Sequence, residues 1–138
     1  MKCLVTGGAG FIGSHLVERL LAESHEVIVL DNFSTGHAGN LQHCIDDPKN
    51  NFVEIDVRNH DAIQPYFDGV DLVFHLAALA DIVPSMQRPL GYLQAGVDAT
   101  VSVLEASRAV GVKKFVYAAS SSCYGIPDSY PTAETAEI

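Results

Sequence analysis

Between a short apolar run, Lys2–Thr6, and an amphipathic stretch over residues 11–23 stands Thr6-Gly7-Gly8-Ala9-Gly10-Phe11-Ile12-Gly13. Few arrangements restrict a fold so tightly. Ile12, Leu16, Val17, Leu20 and Leu21 share one helical stripe, while Glu18, Arg19 and Glu23 face water. The spacing of Gly7, Gly10 and Gly13 is G-x-x-G-x-x-G, a variant of the dinucleotide fingerprint in its strand-turn-helix setting. Gly7 permits the tight turn, Gly10 lets the backbone approach a pyrophosphate, and Gly13 lets the helix pack closely. Free N–H groups and the positive end of the helix dipole then face the anion.

A second feature supports that reading. Asp31 ends the next apolar run (26–30), where a carboxylate accepts both hydroxyls of an adenosine ribose and repels a 2′-phosphate, favouring NAD over NADP. Further strands are expected at 52–55, Leu72–His75 and 114–118, with a helix over 91–110 that carries Ala95, Val97, Val101, Leu104 and Ala106 at helical spacing. Gly111 stands where a left-handed cap is usual. Most of the strand runs lack in/out alternation, as suits parallel strands covered on both faces. The expected fold is therefore an α/β doubly wound parallel sheet of Rossmann-like type.

Residue chemistry at the other strand ends is less decisive. Asp56 either caps the following segment or reaches the adenine amino group. His75 reads as a hydrogen-bonded core residue rather than a catalyst. The small residues Ala77, Ala78 and Ala80 after it leave room for a flat cofactor at the carboxyl end of a strand.

With 138 residues, 48% of them apolar and only 18% charged, the chain has enough material for one core and too little for two comfortable ones. Seventeen acidic residues against eight basic ones give a net charge of −9, which repels phosphate backbones and anionic membranes; no nucleic-acid or membrane partner is expected. The N-terminus does not read as a signal peptide, since Gly7, Gly8 and Gly10 interrupt any apolar region. Cys3, Cys44 and Cys123 are odd in number and lack C-x-x-C spacing, so reduced thiols in a cytoplasmic setting, without a metal site, are expected.

TGGAGFIGSHL, the LDNFSTG turn, HLAA after the fourth strand and SSSCYG after the fifth together resemble the extended short-chain dehydrogenase/reductase family, in its NAD-dependent epimerase/dehydratase branch. The resemblance is nearest to the nucleotide-sugar epimerases and covers essentially the whole chain. It implies transient oxidation of the sugar to a keto form and hydride return to the opposite face, with C4 of a UDP-hexose the expected centre. It also implies that Gly7, Gly10, Phe11, Ile12 and Gly13 hold the pyrophosphate. Asp31 and Asn32 hold the adenosine ribose, with Ser34, Thr35 and Gly36 nearby. Asp56 and Val57 flank adenine, and Leu76, Ala77, Ala78 and Ala80 line the cofactor channel. Ser120 matches the hydroxyl residue that orients the reacting sugar oxygen, with Ser121 and Ser122 beside the substrate. Dehydratases of the family carry Asp and Glu at those two positions, and decarboxylating relatives generally keep the Glu. Serine supplies no carboxyl proton shuttle, which favours epimerisation or simple oxidoreduction over elimination.

The family's Tyr-x-x-x-Lys is absent: Tyr66, Tyr92, Tyr117, Tyr124 and Tyr130 have no lysine four residues on. The expectation is therefore an N-terminal cofactor part, cut before the catalytic helix and without its substrate region. Such a part would be inactive alone, with the fifth strand an aggregation-prone edge; a homodimer is expected when the chain is full length. A non-catalytic NAD sensor is the alternative. Residues 126–138 read as a Pro-rich acidic loop. Gly96 replaces an asparagine common in relatives, and Ser24 a glycine, leaving a strained left-handed cap.

Overall fold

Five strands, β1 (Lys2–Thr6), β2 (Glu26–Asp31), β3 (Asn50–Glu54), β4 (Leu72–His75) and β5 (Lys114–Tyr117), pair in parallel in the order β3-β2-β1-β4-β5. The computed structural model describes residues 1–126 and 129–137; Pro127, Asp128 and Ile138 of the expected acidic loop lie outside them. The chain runs outward from β1 to β3, then crosses back to β4. Thr6 pairs level with both Leu30 and His75, so the carboxyl ends of β2, β1 and β4 open onto one crevice at the reversal of strand order.

Burial on both faces explains the unbroken apolar runs. Cys3, Val5, Val27 and Val29 face α1 (Phe11–Ala22) through Val17, Leu20 and Leu21. Leu4, Ile28, Leu30 and Val73 face the opposite layer, where Ile63 and Phe67 pack with Val103 and Ala106 of α5 (Ala99–Val110). Ile63 ends α2 (His60–Ile63), which Asn59 caps by accepting from the Ala62 N–H. Each fully buried aliphatic side chain here contributes roughly 1.5–3 kcal/mol.

α1 ends one residue earlier than expected. Glu23 is its cap and Ser24 takes φ +65°, while Ser24 N–H donates to Leu21 O (2.8 Å) and His25 N–H to Leu20 O (3.0 Å). These are the paired bonds of a Schellman cap, made by a serine in a conformation that suits glycine. Gly111, at φ +72°, closes α5 as expected.

The expected helix over 91–110 is interrupted. It comprises α4 (Pro89–Leu93), preceded by the short α3 (Ile82–Gln87), then a π turn over Gln94–Asp98, then α5. The extra residue in the π turn rotates every later side chain of the helix. Ala99, Ser102, Val103, Ala106 and Ser107 form the buried face, whereas Val97, Val101 and Leu104 are 53%, 54% and 43% exposed. Gly96 sits within the π turn, where an added Cβ would touch nothing. β3 begins at Asn50 because its pairing with Val27 draws two polar residues into the ladder. β5 is an edge strand with Val116 and Tyr117 exposed.

Candidate functional site

Gly7 turns the chain out of β1 at φ +70°, and a Cβ there would lie 2.8 Å from the Ala77 nitrogen. The β1 turn and the β4 turn thus touch backbone to backbone. Gly10 N–H donates to Gly7 O (3.1 Å), and the first helical bond of α1 runs from Ser14 N–H to Gly10 O (3.0 Å). The amides of Phe11, Ile12 and Gly13 precede that bond, and no side chain caps them. No acidic residue occupies this first turn, so its partial positive charge is uncompensated. Beneath it, a Cβ on Gly13 would collide with the Gly7 carbonyl oxygen and the Gly8 Cα; Gly13 seats α1 against the turn itself.

Asp31 is buried at the end of β2 and braces the same turn. Its Oδ2 accepts from Ala9 N–H (2.9 Å) and its Oδ1 from Phe33 N–H (2.8 Å). Two neutral donors leave a carboxylate with further acceptor capacity, and Asp31 still borders the crevice. Phe33 takes φ +54°, a conformation uncommon for an aromatic residue, with its ring against Phe52 at 5.2 Å between centroids.

A cleft of about 300 Å³ opens over these groups. Of the residues named from the sequence, Gly7, Gly10, Asp31, Asn32, Ser34, Thr35, Asp56, Val57, Leu76, Ala77 and Ala78 border it together. Others lie elsewhere. Phe11 and Ile12 are exposed on the first turn of α1. Gly36 is packed against Ala9, which its Cβ would approach to 2.9 Å. Ala80 is exposed just before α3. Ser120 lies beyond β5, where its Oγ accepts from Ser122 N–H (3.2 Å) and caps an exposed turn over Ser121–Tyr124.

Asp56 adopts the capping geometry, its Oδ1 accepting from Arg58 N–H (3.0 Å), and it also borders the cleft. The Arg58 guanidinium bonds to both its oxygens, Nε at 3.0 Å from each. That hydrogen-bonded pairing, aided by a bond from Asn32, holds the Asp56 carboxyl below the usual carboxylate range. Arg58 was not singled out from the sequence, although its place two residues after an Asp was a signal. Also missed were the apolar Leu30, Ile55 and Leu79, the cation Arg88, and the stripe Gly91, Ala95 and Ala99. The stripe was legible as i, i+4, i+8 small residues on one helical face.

His75 is 1% exposed, and burial alone pushes its imidazole down to about 4. It is neutral near pH 7, as suits a core residue.

An anion seat formed by peptide N–H groups, and a carboxylate one strand away facing the same crevice, place this chain among the dinucleotide-binding doubly wound α/β proteins. The groups present fit such a ligand: the glycine turn is open to a phosphate, and Asp31 retains acceptor sites. The family model described as NAD dependent epimerase/dehydratase matches residues 3–138. The chain belongs to that family, whose cofactor is NAD.

Among curated relatives, UDP-glucuronic acid decarboxylase 1 of Xenopus tropicalis is 38% identical over 96% of this chain and 30% of its own length. UDP-glucose 4-epimerase of Mycolicibacterium smegmatis is 42% identical over 97% of this chain and 44% of its own. This chain thus spans less than half the length of either. The solved UDP-glucose 4-epimerase of Stenotrophomonas maltophila, with bound NAD and formylated UDP-arabinopyranose, superposes with a TM-score of 0.89 at 33% identity, covering 99% of this chain and 42% of that one. The Thermus thermophilus UDP-glucose 4-epimerase complex with NAD gives 0.86 at 37% identity, covering 99% and 44%. Among the described residues no helix is long and apolar enough to cross a membrane.

Proposed function

We propose that this chain is the NAD-holding part of a nucleotide-sugar epimerase acting at C4 of a UDP-hexose. The observation that carries the reading is the shared cleft, in which the uncapped α1 terminus and Asp31 stand on either side of the strand-order reversal. When bound there, NAD supplies the hydride acceptor and donor that epimerisation by transient oxidation requires. The first-turn amides of α1 bind its diphosphate, and Asp31 with Asn32 binds the adenosine ribose. Asp56, fixed by Arg58, borders the adenine end beside Val57. The Leu76–Ala78 segment, carried on β4 and small at Ala77 and Ala78, leaves width for the nicotinamide half.

Ser120 stands just beyond β5 with its oxygen accepting from the Ser122 N–H. In the proposed reaction it orients the sugar hydroxyl, with Ser121 and Ser122 along the substrate. Decarboxylation is the second reading, since relatives with that activity match as well as epimerases do. The serines after Ser120 favour epimerisation because neither offers a carboxyl group. With no Tyr-x-x-x-Lys in its 138 residues, the chain lacks the general base expected for turnover. Dimerisation of the full-length protein would use the exposed stripe of Val97, Val101 and Leu104.

Calorimetry tests the cofactor reading: NAD binds, and NADP binds at least tenfold more weakly because Asp31 repels the 2′-phosphate. Equal affinity for the two overturns it. Inversion of a UDP-hexose at C4 by the 138-residue chain alone would overturn the expected inactivity.

A further inference from the structure

A hydrogen-bonded chain, buried at Thr6 and His75 and reaching the surface at the π turn, crosses the molecule below the cleft, and the proposed reaction does not use it. Thr100 Oγ1–H donates to the Gly96 carbonyl inside the π turn (2.6 Å). With its hydrogen so committed, Thr100 Oγ1 receives a bond from His75 Nε2–H (3.1 Å). His75 Nδ1 is then the bare nitrogen, and Thr6 Oγ1–H donates to it (2.7 Å). Thr6 Oγ1 also accepts from the Ala77 N–H (3.2 Å) and shares the Leu76 N–H (3.2 Å) with the Thr6 carbonyl (3.1 Å). With this tautomer every donor in the chain meets an acceptor. Reversing the imidazole tautomer would set a ring N–H against an oxygen that already accepts from Ala77, and leave the Thr6 hydrogen without its acceptor.

The two ends of this chain are walls of the cleft. Leu76 and Ala77 border it directly and press on Gly7, while the π turn lies in the helical wall that presents Gly91, Ala95 and Ala99. The Gly96 carbonyl is tied to that wall at the point where helical register shifts. Phe115 and Tyr117 of β5 pack on the imidazole ring, with centroids at 6.0 and 5.8 Å, and hold it in plane.

We infer that His75, as its neutral Nε2–H tautomer, is a positioning residue that sets the separation of the glycine-turn wall and the π-turn wall of the cofactor cleft. It touches neither cofactor nor substrate; it acts through Thr6 and Thr100. The inference deepens the proposed NAD site and rests on it.

Long-range 1H–15N correlation of His75 reports the tautomer, and NAD titration of wild type, Thr100→Val and Thr100→Ser reports the wall. The expected result is Nε2–H, an affinity about tenfold weaker in Thr100→Val, the size of one hydrogen bond lost to the buried His75, and recovery in Thr100→Ser. Thermal unfolding of each variant accompanies the titration, so that a loss of folded protein is not read as a loss of affinity. An Nδ1–H tautomer overturns the inference. So does a folded Thr100→Val variant that binds NAD as wild type does, because the bond then serves stability alone. If wild type takes up no NAD, the proposed function falls with the cleft-wall role, whereas an Nε2–H signal in the same sample still upholds the proton arrangement.

Discussion

Acidification should destabilise this protein in a window set mainly by one residue. His75 is held neutral, its imidazole pushed from the ordinary 6.5 to about 4 by burial. Between those values the unfolded chain binds a proton that the folded chain refuses. Stability therefore rises with pH across the window, is complete above about 6.5, and is lost as pH falls toward about 4. The difference corresponds to about 3 kcal/mol, a large fraction of the 5–15 kcal/mol that roughly bounds a domain of this kind. Asp56 and Asp71 work in a lower range. Arg58 and Lys113 hold their carboxyls below the usual value, so their contribution is present above that value and disappears as pH falls through the folded one. Urea unfolding between about pH 7 and pH 4 measures the slope, and His75→Gln, which cannot titrate, removes most of it. Direct titration of the His75 ring by NMR covers the case in which the variant fails to fold. A ring midpoint near 6.5, or the same slope in wild type and variant, would refute the reasoning.

Other substitutions probe the turns. Ser24→Gly should stabilise by about 1 kcal/mol, because φ +65° costs serine roughly that much and glycine little; denaturant midpoints check it. Gly13→Ala drives a methyl group into the Gly7 carbonyl; it should destabilise by about 1–3 kcal/mol and abolish NAD binding, seen by thermal unfolding and calorimetry together. Asp31→Ala strands the buried Ala9 amide, whose carboxylate acceptor lies at 2.9 Å; a loss of about 1–3 kcal/mol in urea is expected, with NAD binding lost as well.

The sheet was readable because its signals are local. Glycines at a strand-helix junction, apolar runs of strand length and Gly111 after a helical stripe each act within a few residues, and the strands and caps appeared within two residues of their expected places. The strand-end cleft followed from the same signals, since connections of this kind bring Gly7, Asp31 and Leu76 to one edge. On the far side of the cleft only the small-residue stripe of Gly91, Ala95 and Ala99 was readable. Arg88 comes to it only once α4, the π turn and α5 are laid across the sheet, and nothing in its own neighbourhood announces that, whereas Arg58 had its place two residues after Asp56 as a signal.

The helix over 91–110 shows the limit most clearly. A regular 3.6-residue period put Ala95, Val97, Val101, Leu104 and Ala106 at helical spacing, but the folded chain divides them: Ala106 is buried while Val97, Val101 and Leu104 face outward. One extra residue in a turn is invisible to periodicity, yet it rotates every later side chain by about a hundred degrees. Asp31 teaches the converse. By itself the sequence determined that a carboxylate stands at the end of β2; only the folded chain showed that it also accepts from Ala9 and Phe33 and so braces the glycine turn. Backbone preferences are encoded residue by residue, whereas the partner of a buried polar atom depends on which distant segment packing delivers to it.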